Sequence, residues 1–388
     1  MKNAPIEVSF VMPCLNEEQT VGVCVEKALK FATKYSISAE VIVSDNGSTD
    51  NSRKVAEDAG AIVVDVKRKG YGAAISGGIK HARGTYIIMG DADDSYDFEN
   101  PIEFVTELRN GSDLVMGNRF KGGVKKNAMP LLHQYLGNPV LSFIGRLFFK
   151  SEIRDFHCGL RGFRRDSILK LNLTCPGMEF ASEMVVKGVL QELAIVEVPT
   201  TLKPDGRDRA PHLNTWRDGW RHLKFLLIYS PKWLFLLPGL LFFIIGWLGI
   251  ISLSRGPISL GAITIDYHTM LYACGFSIFG LQMIVFSVFS KVMGGILHLW
   301  KADEVLRRIE KSFSHEFTLI FSLMLLSFGI FFGLYAISQW TTLGFGPVLD
   351  DTILRSIIFS IALTVNAGQL ILSWFFLNSI LLFNAQDN

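Results

Sequence analysis

The 388-residue chain has no GxxxxGK[ST] segment, and no GxGxxG follows its first apolar run. The two absences disfavour an NTPase and a dehydrogenase. Five cysteines, Cys14, Cys24, Cys158, Cys175 and Cys274, form no CxxC pair and no zinc spacing, so reduced packing cysteines are expected. The net charge is +2, and no basic stripe interleaved with aromatics spreads over the N-terminal part; neither feature suggests nucleic acid. There is no internal repeat and no low-complexity segment. The apolar part of "MKNAPIEVSFVMP" is too short and too soon broken for a signal peptide.

Charge is scarcest after Trp233, where apolar stretches of membrane-spanning length begin. Four spans are expected, Trp233–Leu253, Tyr267–Ser290, Phe317–Ser338 and Ile353–Leu382. The connection between the second and third carries Lys291, Lys301, Arg307, Arg308 and Lys311; those on the other side carry only Arg255 and Arg355. By the positive-inside rule the basic connection is cytoplasmic. The N-terminal domain and the C-terminus follow it, in a multi-pass protein of the cell membrane.

What precedes Trp233 alternates strand and helix. "VSFVMP" is an apolar strand stopped by proline, and "CLNEEQTVGVCVEKALKFA" has apolar residues at helical spacing. "EVIVSDNGSTDNSRKVAEDAG" repeats the plan, followed by "AIVVDV", a Gly-rich helix entry in "GYGAAISGGIKHARG", and "TYIIMG". The alternation predicts a Rossmann-like, mostly parallel sheet covered on both faces. Ligands of such sheets lie beyond the carboxyl ends of the strands. There the polar clusters "PCLNEE", "SDNGSTD" and "DADDS" are expected to converge on one crevice.

Asp91 and Asp93, separated by the small Ala92, can present oxygens to one hard cation, which removes their mutual repulsion. Magnesium or manganese suits them, keeping positions open for water and substrate phosphates. Acidic turns are common, and the placement at the end of an apolar strand is what favours a metal-bound diphosphate. Asp45 is a candidate for hydrogen bonding a nucleobase or ribose, or an ordinary turn-capping aspartate. Glu17 could accept from ribose hydroxyls or serve its own helix N-terminus. The "KGYGAA" loop could let backbone approach a phosphate or sugar.

With "VMPCLNEE", "VIVSDNGSTD", "KGYGAAISGGIKHARG", "DADDS" and "VMGNRF" in this order, residues 6–230 resemble family 2 glycosyltransferases of the GT-A fold. "RDFHCGLRGFRRDSI", "GMEFASEM" and "IVEVPTTLKPDGRDRAPHLNTWRDGWRHL" look like the dolichyl-phosphate mannose and glucose synthase group and its bacterial polyprenyl-phosphate relatives. The resemblance implies that Pro13, Leu15, Glu17 and Asp45 line the nucleotide pocket and that Asp91 and Asp93 hold the metal. Ser95 stands at a further metal position, where relatives often have Gln, and Asp94 departs from a commonly apolar position. Arg119 is implied to contact phosphate of the acceptor, Asp155 to take a catalytic or sugar-orienting role, and Glu179 to touch sugar hydroxyls. Arg207 and Arg209 match a basic loop that closes over phosphates. No QxxRW occurs, unlike processive polysaccharide synthases and ceramide glucosyltransferases.

Three segments are therefore expected: a GT-A domain at 1–210, an interfacial amphipathic helix at 211–232 and a membrane domain at 233–388. In the second, Trp216, Trp220, Leu223 and Leu227 share a helical face among basic residues, the pattern of a helix lying in the membrane interface. The expected partners are a nucleotide sugar, a polyprenyl phosphate and membrane lipids, with room for a homo-oligomer. The expected reaction is inverting hexose transfer from a UDP-glucose or GDP-mannose type donor. Two rivals remain: a transferase acting on a lipid hydroxyl, and a transporter with a regulatory domain. The transporter predicts functional charges within the spans, which carry mainly Asn366, Gln369 and Asn378.

Overall fold

The computed structural model describes residues 5–207, 215–297, 299, 316–347 and 351–386. Of the expectations above, Arg209, Lys301, Arg307, Arg308 and Lys311 fall outside the described residues. The chain divides into two units, Met1–Tyr229 and Ser230–Asn388.

The first unit is built on seven strands: β1 Val8–Cys14, β2 Ala39–Asp45, β3 Ile62–Asp65, β4 Tyr86–Met89, β5 Leu114–Asn118, β6 Arg161–Arg164 and β7 Ile195–Pro199. They form one sheet in the order β3-β2-β1-β4-β6-β5-β7. Only β6 runs antiparallel to its neighbours β4 and β5. The sheet is thus mostly parallel, with β6 a reversed insertion between β4 and β5.

Alternation along each strand fills two cores. Val8, Phe10 and Met12 of β1 join Val41, Val43 and Ile88 on one face. Val11, Ile42, Ile87 and Met89 point to the other, with Phe163, Phe180 and Met184. Burial on both faces is why these strands read as continuous apolar runs. The flanking helices are α1 Val21–Lys34, α2 Ser52–Asp58, α3 Tyr71–His81, α4 Ile102–Arg109, α5 Arg119–Gly122, α6 Asn138–Phe149, α7 Arg165–Lys170, α8 Phe180–Leu190 and α9 Thr215–Ile228. Helix α3 enters from Gly70 at φ 126°, where an added Cβ would lie 2.2 Å from the Pro176 carbonyl oxygen. Glycine alone permits that approach.

Helix α9 lies within the segment expected at 211–232, of which 211–214 fall outside the described residues. Trp216 and Trp220 are exposed, whereas Phe225 and Leu226 are buried in the core of the unit. All five cysteines are unpaired thiols. Burial pushes the Cys24 and Cys158 thiols up to about 12, leaving them inert packing groups.

The second unit holds α10 Leu237–Leu253, α11 Tyr267–Ile296, α12 Glu316–Thr342 and α13 Asp351–Gln386, with a short hairpin of Ile258–Leu260 and Ile263–Ile265 between the first two. By length and composition, four helical stretches among the described residues can cross a membrane: Lys232–Leu253, Tyr267–Ile296, Glu316–Thr342 and Asp351–Phe383. Small residues set the helix pairs. A Cβ on Gly246 would meet the Ser277 nitrogen at 2.4 Å, and one on Gly329 would meet Thr364 Oγ1 at 2.4 Å. The intramembrane amides pair helices: Asn366 Nδ2 donates to Ser277 Oγ at 3.2 Å, and Gln369 Nε2 to Gln282 Oε1 at 3.1 Å. Arg355, at the start of α13, pairs with Asp266 at the start of α11.

Candidate active site

Strands β2, β1 and β4 run parallel side by side, so their chains leave the sheet at one edge. Cys14 lies in register with Asp45, and Val11 with Met89. Asn16 takes φ 58°, a left-handed turn that Asn tolerates. Its backbone N–H donates to Ser48 Oγ at 2.9 Å, and Thr49 N donates to Asn16 Oδ1 at 2.7 Å. These bonds zip the β1 and β2 exits together. The Glu17 N–H donates to Ser52 Oγ at 2.6 Å, which fixes Glu17 over the strand ends. Pro13 and Leu15 are half-buried beside them.

Asp45 is 1% exposed and turned inward. It accepts from the Gly47 and Ser48 N–H groups at 3.1 and 3.2 Å and from Arg53 Nε at 2.8 Å. Burial pushes its carboxyl up, but the bonds from Ser48, Arg53 and Gly47 outweigh it and hold the group below the usual range. In this arrangement Asp45 orders the turn.

The β4 exit carries the acids. Burial, then repulsion from Asp93, pushes the Asp91 carboxyl up to about 6, against the Tyr71 hydroxyl bond and the positive fields of Arg207 and Arg119. Asp93 is held from both sides. Ser95 donates to its Oδ1 through N (3.1 Å) and Oγ (2.6 Å), and Arg207 Nη2 reaches its Oδ2 at 2.6 Å. The structure thus places Ser95 as a donor that orients Asp93. Asp94, at φ 60°, pairs with Lys27 on α1, away from Asp93's partners.

Arg207 closes the group. Its Nε lies 3.0 Å from Glu17 Oε2, so one guanidinium bridges the β1 and β4 exits. The loop before it is pinned by Gly206 N to the Asp93 carbonyl and Lys203 N to the Ser95 carbonyl, both at 2.9 Å. That a cation is drawn between Glu17 and Asp93 is the physical sign that these oxygens suit a positive ligand. Among the described residues no three His, Cys, Asp or Glu gather as a complete metal cage. Two carboxylates with a shell completed by water and diphosphate fit a magnesium-type ion. Arg207→Gln should tighten Mn2+ binding in the absence of donor by on the order of tenfold, because one unit charge is removed a few ångströms from the dication. Electron paramagnetic titration of free Mn2+ measures it; unchanged affinity would separate Arg207 from the cation seat.

A second node lies behind the first. Asp155 is 0% exposed and accepts from Arg119 N, Nε and Nη2 at 3.1, 2.8 and 2.7 Å. Glu197 accepts from the Arg154 and Asp155 N–H groups at 2.6 and 2.9 Å and from Asn118 Nδ2 at 2.9 Å. Arg161 is fully buried and donates to the carbonyls of Phe156, Cys158 and Ala181. Ser182 Oγ lies 2.8 Å from His222 Nδ1, and the His157 and His222 rings meet edge to face at 4.5 Å. Burial drives His222 down to about 4, so it is neutral near pH 7. Glu179 precedes α8 with its Oε2 buried and, among the described residues, without a hydrogen bond.

Residue spacing alone gave no sign of Tyr71, Arg161, Glu197 or the His157–Ser182–His222 contact. Tyr71 stands within the conspicuous "KGYGAA" loop, which was the one available signal. The others become partners only through the order of the sheet.

A mostly parallel sheet with acids at one edge, followed by apolar spans, defines a membrane-attached enzyme of GT-A architecture. Residues 9–171 match Glycosyl transferase family 2, and residues 288–381 match the Glycosyltransferase family 2 C-terminal transmembrane region. The chain is 33% identical to the low-salt glycan biosynthesis hexosyltransferase Agl6 of Haloferax volcanii, over 94% of this chain and 88% of that one. It is 26% identical to a dolichyl-phosphate hexose transferase of the same organism, over 50% and 81%. Glucosyl-3-phosphoglycerate synthase from Mycobacterium tuberculosis, solved with Mn2+, uridine diphosphate and glucosyl-3-phosphoglycerate, is similar at a TM-score of 0.44 and 20% identity. That match covers 57% of this chain and 78% of the synthase. The chain belongs to glycosyltransferase family 2.

Proposed function

We propose that the protein transfers a hexose from a nucleotide sugar to a polyprenyl phosphate at the cytoplasmic face of the membrane, with inversion at the anomeric carbon. The observation that carries the reading is the Asp91–Asp93 pair at the β4 exit, with Asp93 bridged to Glu17 by Arg207. The relative named as a dolichyl-phosphate hexose transferase supports a lipid phosphate acceptor.

Asp91 and Asp93 are the residues to hold a magnesium or manganese ion, whose chemistry there is to neutralise charge on a departing diphosphate. Glu17 and the β1 and β2 exits are placed to bind the nucleotide. A phosphate monoester loses its second proton near pH ~6, so its oxygen arrives ionised. Little work is left for a general base. One phosphate oxygen forms the new bond to the anomeric carbon as the bond to the diphosphate oxygen breaks on the opposite side. The protein's task is positioning two anions and balancing their charge. Asp155, fully engaged by Arg119, orients the site and does not abstract a proton.

A screen of UDP-glucose, GDP-mannose and other nucleotide sugars, in vesicles containing the enzyme and a polyprenyl phosphate, tests the reading. The expected product is a glycolipid cleaved by mild acid. Equal transfer to a lipid alcohol lacking phosphate would overturn the acceptor.

A further inference from the structure

We infer that His157 reads a hydroxyl of the transferred sugar through Nδ1, and that Ser182 and His222 fix the imidazole tautomer that allows it. The inference rests on the nucleotide-sugar part of the proposed function and not on the identity of the acceptor.

His157 lies midway along a loop that joins the two nodes of the site. At one end Asp155 accepts from Arg119 Nε and Nη2. At the other, Gly159 N donates to the Tyr96 hydroxyl at 2.8 Å, and a Cβ on Gly159 would fall 2.8 Å from Asp91 Oδ2. The loop backbone therefore runs alongside the carboxylate proposed to hold the cation. Two residues of chain span at most about 7 Å, so His157 is within reach of a sugar attached to a diphosphate bound there.

The contacts of His157 decide which proton it carries. Its Nε2 lies 3.4 Å from Ser182 Oγ, and that hydroxyl lies 2.8 Å from His222 Nδ1. Burial holds both rings neutral near pH 7, His157 well below its ordinary value and His222 at about 4. The single serine proton can point only one way. A free neutral imidazole carries its proton on Nε2 in preference to Nδ1, and one direction gives that form to both rings. His157 Nε2–H then donates to Ser182, the Ser182 O–H donates to His222 Nδ1, and His157 Nδ1 is left as a bare acceptor. The reverse direction requires the less stable form twice.

That acceptor is buried, and among the described residues no donor meets it. Glu179, whose charge is felt at His222, presents a second buried acceptor, Oε2, in the same condition. Buried acceptors left without donors are costly, and a ligand bringing O–H groups relieves them. An ionised phosphate brings none and is repelled by the Glu179 carboxylate. A hexose brings several, and it arrives tethered to the diphosphate at Asp91 and Asp93. Water brings them too, and the experiment separates the two.

The full chain in nanodiscs is titrated calorimetrically with UDP-glucose, GDP-mannose, UDP and GDP, with Mn2+ and without acceptor. The tighter of the two sugar nucleotides should lose about tenfold in affinity on His157→Phe, the scale of one buried hydrogen bond, while its parent diphosphate binds as before. His157→Asn keeps an acceptor near the Nδ1 position and should restore most of the loss. Equal weakening of both ligands, or none for the sugar nucleotide, would overturn the contact. Nitrogen NMR of the native enzyme, with labelled histidine, reads the tautomer directly. The His157 Nδ1 resonance, identified by its disappearance in His157→Asn, should be that of an unprotonated nitrogen and should shift with the sugar nucleotide only. A protonated Nδ1 would overturn the tautomer. A shift common to both ligands would leave water as the donor and overturn the sugar contact. With no acceptor present, transfer to a lipid alcohol would overturn the proposed acceptor and leave these outcomes as they stand.

Discussion

Asp93→Ala should lower sugar transfer by about a thousandfold or more, the scale seen when a group that stabilises developing charge is removed. The structure gives the reason for placing the largest effect here. Asp93 is the point where the β4 exit, Ser95 and Arg207 meet, with both carboxylate oxygens engaged at 2.6 Å. Its loss removes a ligand for the proposed cation and frees Arg207 and Ser95 together. Asp91→Ala should be comparably severe in transfer but milder in local order, since the bonds from Ser95 and Arg207 go to Asp93. The Asp91 carboxyl, at about 6, adds a pH dependence of definite sign. A carboxyl raised by burial and by Asp93 takes up its proton sooner as the pH falls and can then no longer serve as the proposed metal ligand, so Mn2+ affinity should fall as pH drops from 7 to 5. The measurements are transfer in vesicles, Mn2+ titration at both pH values, and size-exclusion profiles to show intact protein. Full activity of Asp93→Ala in EDTA would sink the metal assignment.

The parts of this site that were legible from sequence share one property: each is local. An apolar run ending in "DADDS" announces both a buried strand and a polar exit within a dozen residues. Four long, mostly apolar stretches announce spans in the same way, and four described helices long and apolar enough to cross a membrane coincide with them. What was not legible depends on residues far apart in the chain. Insertion of β6 antiparallel between β4 and β5 is a property of the sheet, and the strand itself reads like its parallel neighbours. Asp155 meets Arg119 across 36 positions, and Glu197 meets Asp155 across 42. Arg161 resembles a surface arginine in sequence, yet it is buried and satisfied by three carbonyls. That Ser95 donates to Asp93 Oδ1 through both its N–H and its hydroxyl follows from the folded turn.

The second large effect is expected at the Arg119–Asp155 pair. Asp155→Ala leaves a buried guanidinium without its counter-ion, and breaking such a pair from one side costs about 3–5 kcal/mol of stability. Transfer should fall with it, which alone would not distinguish a fold defect from a lost function. Replacing both partners by apolar residues, Arg119→Met with Asp155→Leu, removes the charges together and should restore most of the stability. If the pair serves the reaction, the double variant folds and still fails to transfer. Arg119→Lys sharpens the point. It keeps the charge but loses the fork that now meets Asp155 through Nε and Nη2 at 2.8 and 2.7 Å. Its activity should drop at limiting acceptor more than at limiting donor, because the cation seat at Asp91 and Asp93 is unchanged. Thermal unfolding, donor titration and acceptor saturation on the same three variants decide between the readings. A double variant that transfers at the native rate would reduce the pair to a structural tie. A loss of donor affinity with unaltered acceptor saturation would assign Arg119 to the diphosphate instead.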